Sequence, residues 1–171
     1  DGDLGALGFP ADLVAGVVTL PIGPGLTFEL TVDAFVHQQE GFAAITYDQP
    51  IENDLLIPLS SDDGPVDTAA DVVAALENHP RVDITTTAEV TVAGQPATRL
   101  EIESGGGDIA VLAFGDDPEF DAWRAPLEGV VWLLDTADGP LMITAESFGP
   151  GGELATSLAT ADRIIETLEL G

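Results

Sequence analysis

Acid–base or nucleophilic chemistry needs a histidine, an activated hydroxyl or a carboxylate pair at a set separation, and this chain offers few of the first and many of the last. His79 closes an expected helix just before Pro80, where a cation complements the negative end of the helix dipole, so a capping role is expected. His37 stands at a strand end beside Gln38 and Gln39 and reads as a solvated turn residue. The two histidines match no metal-ligand spacing. Ala145-Glu146-Ser147-Phe148-Gly149 has the small-x-Ser-x-Gly outline of a nucleophile elbow. Pro150-Gly151-Gly152 intervenes before a helix can start and both histidines precede the serine, so Ser147 is expected to be a turn serine. Glu101 and Glu103 project from one face of one strand about 7 Å apart, near the separation of a glycosidase pair. An open strand face supplies no raised pKa, and Arg99 is placed to pair with them; a solvated face is expected.

Hard-cation binding has more residues behind it. Asp1 and Asp3, Asp62 and Asp63, Asp116 and Asp117, and Asp135 and Asp138 all fall in expected loops, where carboxylates can surround an ion such as Ca²⁺. None forms an EF-hand loop or a nonapeptide calcium repeat, so diffuse Na⁺ or K⁺ binding or weak Ca²⁺ binding is expected, and no cofactor. Gly105-Gly106-Gly107-Asp108 lacks the lysine of a phosphate loop. Among the aromatics that could line a groove, Trp132 sits in an apolar strand and reads as core, and Tyr47 carries no further signal. Trp123 and its neighbour Arg124 are the candidate ligand contacts, an aromatic anchor beside a scarce cation.

The elements that must position these groups follow from periodicity. Residues 1–24 read as a Gly/Pro-rich lead, and residues 25–171 as a single domain. Leu26 to Asp33 alternates apolar and polar, Phe42 to Tyr47 follows a polar turn from His37 to Gly41, and a hairpin is expected. Asp48 to Val66, punctuated by Pro50, Pro58 and Pro65, reads as an irregular surface loop. Asp67 stands at an N-cap position before Ala69, Val72, Val73 and Leu76 at helical spacing. Val82-Asp83-Ile84 and Val90-Thr91-Val92 resume the two-residue period, Ala93-Gly94-Gln95-Pro96 turns, and Thr98 to Glu103 alternates again, so two paired antiparallel strands are expected. Ile109 to Phe114 reads as a central strand, and Asp116-Asp117-Pro118 as the start of a short helical turn through Trp123. Val130 to Leu134 and Leu141 to Ala145 flank Asp138-Gly139, a hairpin signal. Leu154, Leu158, Ala161, Ile165 and Leu168 form one stripe of a C-terminal amphipathic helix. This order predicts an α+β fold, an antiparallel β-sheet flanked by helices.

Composition sets the environment. The chain has 171 residues, with 31 Asp plus Glu against four Arg, and a net charge of −27. Such a surface repels itself until salt shortens the screening length, to about 3 Å near 1 M, so the protein is expected to be halophilic. An apolar fraction of 45% argues for a folded core rather than acidic disorder. With so few cations, nucleic acid and anionic lipid are excluded as partners, and no apolar run is long enough for a membrane span. The absence of cysteine excludes disulfides and a thiol nucleophile. The chain starts at Asp1 without an initiator Met; either trimming or removal of a signal segment produces such a start, and a lipid-anchoring Cys upstream would fix location.

Val73 to Ile84, Val90 to Ala97, Val131 to Asp135 and the ending Arg163-Ile164-Ile165-Glu166-Thr167-Leu168 together resemble uncharacterised secreted or lipid-anchored actinobacterial proteins with a Mog1/PsbP-like fold. The resemblance covers roughly residues 65 to 170 and implies an α/β/α sandwich in an exported, non-enzymatic domain, here in an acidic version. It brings no catalytic residue with it. The expected function is a non-catalytic binding or interaction domain of the cell envelope, secreted or anchored there, for an unknown protein or small-molecule ligand. The alternative is a hydrolase whose acid and base are carboxylates brought together by folding. A deep pocket with buried carboxylates would favour the enzyme; shallow solvated Asp clusters would favour the module.

Overall fold

The computed structural model describes residues 11–48, 51–106, 109–115, 121–149 and 153–171. Strands dominate it. They are β1 (Ala11–Leu20), β2 (Leu26–Gln39), β3 (Phe42–Asp48), β4 (Ile51–Leu56), β5 (Ser60–Ser61) and β6 (Gly64–Pro65), then helix α1 (Ala69–Asn78). After it come β7 (Val82–Val92), β8 (Gln95–Ser104), β9 (Ala110–Ala113), β10 (Ala122–Arg124), β11 (Glu128–Thr136) and β12 (Gly139–Ser147), helix α2 (Leu154–Thr167) and β13 (Glu169–Leu170). A large antiparallel sheet runs in the order β1-β2-β3-β4-β12-β11-β8-β7, with β13 added to β2. A small sheet has the order β10-β9-β5-β6.

This corrects the expected α+β sandwich. Among the described residues strand far outweighs helix, which is confined to two helices, so the fold is β-rich. The excess strand comes from segments whose turn residues masked it. Ala11–Leu20, read as part of a lead ending at residue 24, pairs along β2 from Ala11↔His37 to Leu20↔Leu26. Ile51–Leu56, read as part of an irregular loop, is an inner strand held between β3 and β12. Pro58 lies beyond the end of this strand and Pro65 pairs with Ser60 in the short β6, so neither interrupts the β4 ladders. Trp123, expected in a helical turn, lies in strand β10, while Asp116, Asp117 and Pro118 fall outside the described residues.

The large sheet is covered on both faces, which explains the unbroken apolar runs in its centre. Val130, Trp132 and Leu134 of β11 join Leu141, Ile143 and Ala145 of β12 in a core completed by Ala161 and Ile164 of α2. Val131, Leu133 and Met142 face the other way, into a core with Val72 and Leu76 of α1, Leu112 and Trp123 of the small sheet, and Phe114 just after β9. The β11–β12 hairpin forms as its Asp-Gly signal predicts, closing at Thr136↔Gly139 with Gly139 at φ +120°. Helix α1 starts one residue later than its Asp67 signal. Thr68 is the N-cap, in a reciprocal capping box with Asp71, and the Asp135 carboxylate takes the Ala69 N–H at 2.6 Å.

Candidate functional site

The sheet register brings together three carboxylates. Glu52 of β4 lies directly opposite Glu146 of β12. Asp54, two residues on, shares the Glu52 face because side chains alternate along a strand. The three offer ligand oxygens that all lie within 4.8 Å of one another. They face the small sheet. Asp54 is 4% exposed, Glu146 is fully buried, and Glu52 is partly exposed.

Their backbone is held from behind by α2. Between the Leu55↔Ile143 and Glu52↔Glu146 pairs the β4–β12 ladder is bridged by side chains instead of direct pairing. Asn53 Nδ2 donates to Thr144 O at 2.8 Å and to Ser157 Oγ at 3.2 Å, and Asp54 N donates to Thr144 Oγ1 at 2.9 Å. Ser157 Oγ donates to Glu52 O at 2.8 Å and accepts from Glu146 N at 3.0 Å. One helix serine thus fixes both strands at the level of the carboxylates.

In front, Trp123 Nε1 donates to Glu146 Oε1 at 2.6 Å. Glu146 Oε2 and Asp54 Oδ1 are buried with no hydrogen-bond partner, and so is the Thr46 hydroxyl, on the β3 residue opposite Glu52. Burial pushes Glu146 up to about 8, with the Glu52 charge adding to it and the Thr144 and Trp123 side chains easing it back. Burial likewise raises Glu52 to about 7. Asp54 is raised well above the usual range by burial, then by the charges of Glu146 and Glu52. Two like charges 4–5 Å apart repel by roughly 3 kcal/mol or more at an effective dielectric near 20. Three ionised carboxylates cannot share this space by themselves; they must hold protons or a cation. All the donors are oxygen, the preference of a hard cation rather than of zinc or copper.

The residues singled out from sequence lie mostly elsewhere. Trp123, a candidate ligand contact on the expectation of exposure, is 1% exposed and acts inside the cluster as a donor. Its neighbour Arg124 is partly exposed. Trp132 and the half-buried Tyr47 belong to the core under α2, so the three aromatics line no common groove. Trp132 also packs under Arg99, whose guanidinium carbon is 5.6 Å from the ring centroid. Arg99 pairs with Glu101 at 2.7 Å and Glu103 is exposed, as a solvated face requires. Ser147 ends β12 in a buried position rather than in a turn. His79 is the C-cap residue of α1, and its Nδ1 accepts from Arg81 N at 3.3 Å. His37 lies within β2, not in a turn, level with Asp54 across Ala44. Asp62, Asp63, Asp135 and Asp138 are exposed and do not gather, while Asp1 and Asp3 fall outside the described residues.

Glu52, Asp54 and Glu146 went unread because the first two sit in a proline-punctuated stretch and the third inside a serine motif. A signal existed. Ile51-Glu52-Asn53-Asp54-Leu55-Leu56 places acids at period two between apolar residues, and Glu146 follows the apolar run of β12. No family model matches the chain, and no curated protein or solved structure is significantly similar to it. No helix among the described residues is long and apolar enough to cross a membrane.

Proposed function

We propose that the chain is a non-catalytic binding domain of the cell envelope in a salt-adapted organism, with Glu52, Asp54 and Glu146 as its binding centre. The observation that carries binding over hydrolysis is the sealing of the carboxylates. Asp54 is 4% exposed and Glu146 fully buried, beneath a tryptophan that is itself 1% exposed. A substrate-sized cleft holds several hundred Å³ at the reacting groups. A groove of about 460 Å³ does run beside α1, between Val73, Glu77, Thr87, Pro96 and Leu133, but it contains none of the three. The hydrolase reading has one point in its favour, the raised pKa of Glu52 and Glu146, which is the tuning of a general acid. The envelope location rests only on the short segments between residues 65 and 170 that resemble exported proteins.

Two measurements test this. Hydrolysis of chromogenic glycosides and esters is followed in molar KCl for the wild type and Glu146→Gln; no turnover above the variant's blank is expected, and turnover that the substitution abolishes overturns the binding reading. Fractionation of the native organism is expected to place the protein with the envelope, and recovery in the cytosol overturns that location.

A further inference from the structure

We infer that Glu52, Asp54, Glu146 and the Thr46 hydroxyl form a site for a hard divalent cation, with Ca²⁺ the best fit. The inference rests on the reading of the cluster as a binding centre and names its ligand. Calcium–oxygen bonds of about 2.3–2.6 Å keep all donors on one ion within about 5 Å of each other. The three carboxylates meet that condition, with oxygens within 4.8 Å.

A second observation is independent of the acids. Thr46 is 8% exposed, and its hydroxyl has no hydrogen-bond partner. The β3–β4 register sets it opposite Glu52, on the same sheet face, with the hydroxyl outside hydrogen-bond geometry to the Glu52 carboxyl. Asp54 Oδ1 and Glu146 Oε2, buried acceptors without a partner, need an electropositive neighbour, and the unpartnered Thr46 hydroxyl adds a neutral oxygen that can coordinate it.

The remaining contacts fit a ligand set held ready in advance. Trp123 engages Glu146 Oε1 and leaves Oε2 free to coordinate, the orienting role an outer hydrogen bond plays at metal sites. Ser157 and Asn53 lock the backbone of both strands behind the carboxylates. Mg²⁺ gives up its waters reluctantly and rarely enters an all-protein cage, whereas Ca²⁺ accepts irregular carboxylate and hydroxyl donors.

Terbium, a Ca²⁺ analogue excited by energy transfer from a nearby indole, reads the site directly. In molar KCl, which screens the acidic surface, the wild type is expected to show saturable terbium emission on tryptophan excitation, displaced by Ca²⁺. Trp123→Phe is expected to lose most of that emission while Trp132 stays in place. Calorimetry is expected to show Ca²⁺ binding weakened about tenfold or more by Asp54→Asn, and about as much by Thr46→Val, which removes no charge. Glu101→Gln, on the open face of β8, is expected to change neither readout. For a variant that does not fold, the wild type alone decides: its unfolding midpoint must rise with the logarithm of Ca²⁺ concentration. Absence of saturable binding by the folded wild type, or affinity unchanged in both folded variants, overturns the cation site and leaves the binding reading standing. Carboxylate-dependent turnover overturns that reading instead.

Discussion

Trp123 of the small sheet and Glu146 at the centre of the large sheet are joined by a 2.6 Å hydrogen bond between two side chains that water does not reach. The bond ties the two sheets together where the intervening core is acidic rather than apolar. It also divides the labour of the Glu146 carboxylate, with Oε1 held and Oε2 left without a partner.

Replacing Trp123 with Phe keeps most of the ring packing and removes the donor. A buried acceptor that loses its partner destabilises by about 1–3 kcal/mol, so urea unfolding of Trp123→Phe is expected to fall by that range. An unchanged midpoint would mean that the bond contributes nothing.

Removal of divalent cations exposes an inverted pH dependence. Folded Glu52 and Glu146 titrate near 7 and 8, above their ordinary value of 4.5, so the folded state binds more protons than the unfolded chain in between. The stability this contributes is fully present below about 4.5 and is lost as pH rises through 7 to 8. In chelator at constant molar salt, the thermal midpoint is expected to fall from mildly acidic to mildly alkaline pH, with a shallower slope in Glu146→Gln. A rising midpoint would contradict the raised pKa values.

Ser157→Ala removes an oxygen that serves Glu52 O, Glu146 N and Asn53 Nδ2 together. Its loss strands buried backbone groups on two strands and is expected to destabilise by about 1–3 kcal/mol in denaturant titrations. Arg99→Ala, at the partly exposed pair with Glu101, is expected to lose less than Ser157→Ala, since exposed ion pairs contribute about 0–1 kcal/mol.

Ala93 at φ +49° and Gly94 at φ +75° close the β7–β8 hairpin. A left-handed conformation at a residue with a Cβ costs about 1–2 kcal/mol, and asparagine tolerates it better. Ala93→Asn is expected to raise the unfolding midpoint slightly, with the far-UV spectrum unchanged; a lowered midpoint would count against strain at this turn.

Raising KCl from dilute buffer to molar concentration shortens the screening length from above 10 Å to about 3 Å. With a net charge of −27, the thermal midpoint is expected to climb steeply over that range, and a flat profile would rule out adaptation to salt.

The sequence by itself determined the features that depend on neighbours along the chain. The Asp138-Gly139 hairpin, the α2 stripe and the exposed acids can be read locally, because turn type, helical face and net charge need no distant partner. Helix α1 was legible too, although Thr68 rather than Asp67 caps it. Tertiary structure alone decided that Ile51–Leu56 is an inner strand and that Glu52 meets Glu146, because β4 finds β12 only after the chain has built the intervening strands and α1. Burial is likewise a property of what packs on top. Trp123 and Asp54 carry no mark in the chain that says which of them water will reach, and the small sheet, closing over the large one, withheld it from both.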